Sequence, residues 1–115
     1  MHEVLFDDRF LKDTGVTTLD FAKGLIDEGF HPMTMYFPLV VHGALLIEPT
    51  ETESKASLDQ FADTVNALAA RAKTDAAGFH ASPRFTPRRR LDETAAARKP
   101  QLRWRPEMSE QEAAK

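Results

Sequence analysis

Between Ser54 and Asp75 the sequence sets Leu58, Phe61, Ala62, Val65, Leu68, Ala69 and Ala72 at the i, i+3, i+4, i+7 spacing of one helix face. Ser54 or Ser57 can accept the first free amides. Glu51 and Glu53 precede the segment, while Arg71 and Lys73 close it, so both ends suit the helix dipole. At 1.5 Å per residue such a helix runs about 33 Å. One apolar stripe of that length has to be covered by a sheet or by a second helix.

The rest of the chain supplies the material for that second layer. With 115 residues, 42% of them hydrophobic, the chain has room for one domain and a tail. A domain of this size buries roughly 65% of the surface its unfolded chain exposes. The opening HEVLF reads as a short strand, with Val4 and Phe6 on one face and Leu5 on the other. A helix follows: Thr17 caps it, Asp20 sits three residues on, and Leu19, Ala22, Leu25 and Ile26 form its stripe. Gly29 supplies a left-handed stop, and Gly24 weakens the interior by up to about 1 kcal/mol relative to alanine. Leu39–Val41 and Ala44–Ile47 are short and β-prone, with Gly43 between them, and Pro49 ends the run. Strand, helix, strand, strand, helix predicts a two-layer α/β (α+β) domain.

The charge is divided. Residues 1–75 hold six basic and thirteen acidic side chains, a net of −7, and residues 76–115 hold nine and five, a net of +4. Beyond Gly78 the apolar periodicity stops, and four of the seven prolines lie there. The expectation is a domain over residues 1–77 and an extended basic arm over 78–115 that makes no core, with one short helix at Leu91–Ala97. Arginines interleaved with Phe85 and Trp104 are also a pattern of single-stranded nucleic-acid binders, but Asp92, Glu93 and the acidic body weigh against that reading.

No cysteine is present, which excludes disulfides, thiolate metal sites and a cysteine nucleophile, and permits a reducing, cytoplasmic setting. No apolar run approaches the roughly 18 residues of a membrane span. His2, His31, His42 and His80 lack zinc spacing, and the glycines form no phosphate-cradling pattern. One segment stands out, GFHPMTMYFP over Gly29–Pro38. His31 precedes a proline and is pushed out of helical geometry. It is either a loop histidine facing a cleft or a half-buried one bonded to backbone. Glu48 follows an apolar strand, where sites in mixed α/β proteins tend to lie, whereas Glu51 and Glu53 suit a helix start.

The run TLDFAKGLIDEGFHPMTMYFPLVVHGALLIEPTETESKASLDQF and the tail TPRRRLDETAAARKPQLRW resemble the C-terminal region of the glycine decarboxylase P-protein family. The likeness is to subunit 2 of the two-subunit bacterial form, glycine dehydrogenase (aminomethyl-transferring) of the glycine cleavage system. Met33 stands where that family commonly has proline or alanine, and Arg84 where it commonly has histidine. The resemblance implies the small C-terminal domain of a fold-type-I pyridoxal phosphate enzyme: a small, mainly antiparallel sheet covered by helices. It implies an oxidoreductase of glycine catabolism that decarboxylates glycine and passes the aminomethyl group to the lipoyl arm of the H-protein.

In that family the cofactor is held by a lysine following a histidine on a large upstream domain, and no lysine here follows a histidine. The chain is therefore expected to be a detached C-terminal fragment, inactive alone. It would contribute a substrate-channel wall, with His31, Thr34, Glu48 and Thr50 as the polar groups, and contacts to subunit 1 and to the large domain. The alternatives are an inactive module that docks on full-length subunits, or a basic-tailed nucleic-acid binder.

Overall fold

The computed structural model describes residues 2–103. The first helix, α1 (Thr18–Asp27), begins at a complete capping box. The Thr17 hydroxyl accepts the Asp20 amide at 3.1 Å, and the Asp20 carboxylate accepts the Thr17 amide at 2.9 Å. It ends at Gly29, whose φ of +85° lets two bonds close the helix. Gly29 N–H donates to Ile26 C=O and Phe30 N–H to Leu25 C=O, each at 3.0 Å.

Three short strands form an antiparallel sheet in the order β1-β3-β2. In β1 (Val4–Phe6) and β3 (Leu45–Ile47), Phe6 lies opposite Leu45. In β2 (Thr34–Met35), Thr34 lies opposite Leu46. The long helix α2 (Lys55–Ala72) starts at Ser54, whose hydroxyl accepts the Ser57 amide at 3.1 Å. A five-residue helix, α3 (Ala76–His80), follows behind the cap of Asp75, and α4 (Glu93–Arg98) lies exposed in the tail.

The core lies where α1 packs against α2 and α3. Phe21, Leu25 and Phe79 are fully buried, with Leu11, Val16, Leu45, Leu68 and Ala72 around them. Phe21 stacks on Phe79 at 6.2 Å and meets Phe10 edge-on at 5.2 Å. Truncating either buried ring to alanine costs about 3–5 kcal/mol. The result is a small α+β domain, a three-stranded antiparallel sheet with helices, as the sequence predicts.

Several local expectations are corrected. Leu39–Val41 is no strand. The chain turns there, Val41 N–H donating to Pro38 C=O at 3.1 Å, with Leu39 80% and Val40 91% exposed. The partner of β3 lies instead inside the proline-bounded segment, at Thr34–Met35. In α1 the buried face is centred on Phe21, Gly24 and Leu25, while Leu19 and Ile26 are half-buried. The long helix stops at Ala72, and Asp75 opens α3. The core also reaches past the end of the apolar periodicity, because Phe79 belongs to it. The tail does hold its short helix, shifted to Glu93–Arg98, while Trp104 lies outside the described residues.

Candidate functional site

After the Gly29 stop, residues 30–33 run from α1 into β2. Beside them β3 ends at Ile47 and hands over to Glu48 and Pro49, and the first turns of α2 close the third side. A groove of about 370 Å³ lies between these segments. Its floor is apolar, built from Phe30, Met33, Ile47 and Phe61, with Phe30 and Phe61 edge to face at 5.3 Å. Its rim is polar: His31, Glu48, Glu53 and Ser57. Two carboxylates on one rim favour a neutral or cationic ligand over a phosphate.

Two of the four expected site residues meet at this groove. His31 is exposed at its edge, held extended by Pro32. Glu48 is exposed and lines it too, 3.6 Å from His2 Nε2. Thr34 and Thr50 do not line it. Thr34 is exposed in β2, and the Thr50 hydroxyl is bonded to that of Thr52 at 2.8 Å. Leu58 and Ser57, which line the groove from α2, were legible only as parts of a helix face and its cap.

The densest electrostatics lie on α1, where two carboxylates hold the start of the tail. Asp27, 1% exposed, accepts the amides of Arg84 at 2.6 Å and Phe85 at 3.1 Å, with Arg84 Nε at 3.6 Å. Burial raises its carboxyl, but the bonds from the Arg84 amide, the Ser82 hydroxyl and the Phe85 amide, with the Arg84 charge, outweigh it and hold the group below its ordinary value. Asp20 is 8% exposed and lies 2.7 Å from Arg90. There too burial raises the carboxyl, and the Thr17 and Arg90 bonds together outweigh it, so the group stays low. Arg90 also donates to the carbonyls of Ser82 at 2.6 Å and Phe79 at 2.9 Å. Two of the arm's arginines thus meet acidic groups of this same chain.

No helix among the described residues is long and apolar enough to cross a membrane. Among those residues no group of three or more histidines and carboxylates could hold a metal ion.

A three-stranded antiparallel sheet with helices, carrying an open groove, makes the described residues a small α+β domain. A family model described as glycine dehydrogenase, C-terminal domain, matches residues 1–83, and the chain belongs to that family. It is 69% identical over 107 residues to the probable glycine dehydrogenase (decarboxylating) subunit 2 of Caulobacter vibrioides, covering 92% of this chain and 20% of that protein. Proteins of the same description from Treponema denticola and Kosmotoga olearia are 52% and 49% identical, each over 106 residues, 91% of this chain and 22% of theirs. The chain spans about a fifth of the length of these curated relatives.

The cofactor that the resemblance implies needs a lysine amine, donors for its phosphate and a partner for its ring nitrogen. The groove has no lysine and no glycine in its lining, and Glu48 and Glu53 repel a phosphate. Lys12 lines only a shallow hollow beside Asp8, Lys23 is half-buried, Lys55 pairs with Asp59, and Lys73 and Lys99 are exposed. The described residues do not fit pyridoxal phosphate.

Proposed function

We propose that this chain acts as the C-terminal domain of a glycine-decarboxylating subunit 2 and forms one wall of the channel by which substrate reaches the reacting centre. The observation that carries the reading is the groove, in a chain of this family, where exposed His31 and Glu48 both line an apolar floor. Glycine and the lipoyl arm of an H-protein are the ligands that the family likeness supplies. An acidic rim attracts an ammonium or aminomethyl group, and the Phe30–Phe61 floor suits the aliphatic part of a lipoyl chain. Thr34 and Thr50 are weaker members of the proposed wall, set back from the groove. Pyridoxal phosphate, a reducing cytoplasmic setting and a subunit 1 partner belong to the same proposal. The cofactor lysine is placed outside the residues described.

The apolar groups in water support a docking role as well. Val4, Leu5 and Phe6 of the edge strand are 43–48% exposed, and Phe37 is 57% exposed. Such groups mark surfaces that meet another protein body, here the large domain or subunit 1, with the tail's remaining arginines meeting acidic surface. The same observation favours a second reading, a module that docks on full-length subunits without taking part in catalysis.

Mixing the chain with the remainder of subunit 2 and with subunit 1, then measuring glycine-dependent release of carbon dioxide, separates the two. Restored release supports the channel-wall reading. Stable association without release supports the docking module, and no association refutes both.

A further inference from the structure

The connection between β2 and β3, residues 36–43, carries an apolar tip in water: Phe37, Leu39 and Val40. Both of its ends are tied to the body. Tyr36 sits in the left-handed region at φ +61°, a conformation a bulky residue adopts only when its surroundings impose it. Its N–H donates to Ala44 C=O at 2.8 Å, and its phenol oxygen accepts the Leu19 amide, one of the free amides at the start of α1, at 3.2 Å.

At the other end His42 Nδ1 lies 3.0 Å from Asp8 Oδ1 and 2.9 Å from Oδ2. The next residue, Gly43, has φ +56° and passes so close to Asp8 that a Cβ there would run into the carboxylate. Its carbonyl accepts the Thr18 hydroxyl at 3.0 Å. The 36–43 loop is therefore pinned to α1 at one end and to the Asp7–Lys12 segment at the other.

The charges facing His42 come from that segment. Asp8 has no other ion-pair partner among the described residues. Arg9 is taken by Asp7 at 2.6 Å, and Lys12 lines the same shallow hollow. From α1 the facing group is the uncharged Thr18 hydroxyl, and β3 carries only Leu45, Leu46 and Ile47.

We infer that the Asp8–His42 pair is a proton-controlled clasp: the imidazolium holds the base of the 36–43 loop to Asp8, and loss of its proton loosens the loop and its apolar tip. The Asp8 hydrogen bond, and then the Asp8 charge, raise His42 above its ordinary value, with a small opposing effect of desolvation. The ring is 92% exposed, so its proton exchanges freely with solvent. For a group raised in the folded state, the clasp is complete below about pH 6.5, the ordinary histidine value, and is lost as pH rises through the higher folded value. The neutral ring keeps at most one hydrogen bond to Asp8 and no charge attraction. This inference concerns the loop alone and does not depend on the channel-wall reading.

The test is a pH titration of the chain by nuclear magnetic resonance, following the His42 ring and the amides of residues 39–43 in the wild type, Asp8→Asn and His42→Asn. The expected wild-type ring midpoint lies above about 6.5, and the loop amides shift with the same midpoint. In Asp8→Asn the midpoint falls toward about 6.5, and in His42→Asn the amide step disappears. Loop amides that stay flat while the ring titrates overturn the inference, as does a ring midpoint that Asp8→Asn leaves unmoved. If Asp8→Asn does not fold, the wild-type and His42→Asn amide profiles decide on their own.

Discussion

Replacing Gly24 by alanine sets packing against helix propensity. In an exposed helix interior this change stabilises by about 1 kcal/mol. In α1, however, Gly24 is buried, and a Cβ there would lie 2.9 Å from Phe79 Cε1 and 3.2 Å from Cδ1. The ring has little room to retreat. It is fully buried, Phe21 stacks on one side of it, and the Arg71 guanidinium lies 4.8 Å from its centroid. Forcing a methyl group into such a site costs about 1–3 kcal/mol. After the propensity gain of about 1 kcal/mol, the expected net change is a destabilisation of about 1 kcal/mol. Urea denaturation followed by far-ultraviolet circular dichroism measures it. Pairing Gly24→Ala with Phe79→Leu in a double-mutant cycle should show a coupling above about 0.5 kcal/mol, since the smaller side chain makes room for the methyl. A Gly24→Ala protein stabilised by the full propensity gain, with no coupling to residue 79, would refute the close approach of α3 to α1.

The anchoring of the tail gives two further expectations. Arg90→Ala leaves the nearly buried Asp20 without the Arg90 guanidinium and the Ser82 carbonyl without a donor, while Phe79 C=O keeps the Ser82 amide. A loss of about 1–3 kcal/mol is expected, together with faster trypsin cleavage after Arg88 and Arg89 in limited proteolysis; an unchanged cleavage rate contradicts it. Asp20 and Asp27 are both held below their ordinary values in the folded chain. Their contribution is therefore fully present above about pH 4 and is lost as pH falls through the folded values. Acid unfolding should accordingly show a steep limb below about pH 4 that Asp27→Ala makes shallower, and an identical limb in the variant contradicts the assignment.

What the sequence made legible was local. The Thr17–Asp20 capping box and the Gly29 stop depend on residues within one or two helical turns, so their signature lies in adjacent letters. The same holds for Ser54, whereas the stripe of α2 is covered only in part: Leu68 and Ala72 are buried, but Leu58 and Ala62 are exposed. What it hid was long-range. Gly24 looked like a weak point in a helix, and its reason is Phe79, 55 positions away in a segment with no periodic pattern. Leu39–Val41 had the composition of a strand, but β3 took its partner from Thr34–Met35, leaving those residues in a turn. The tail arginines read as groups that meet acidic surface on another body, because nothing in the order of residues reveals that Arg84 and Arg90 reach Asp27 and Asp20 of this chain. For the candidate site, all four residues were named on the family likeness; His31 and Glu48 line one groove, while Thr34 and Thr50 lie off it, and no local pattern in the sequence announces that grouping.

The channel-wall reading is tested most directly by the kinetics of full-length subunit 2 carrying His31→Ala, paired with its subunit 1. It predicts that kcat/KM for glycine decarboxylation falls by about 10-fold or more, while the thermal unfolding midpoint stays put because His31 is exposed. Undiminished kcat/KM in a correctly assembled, equally stable enzyme contradicts it.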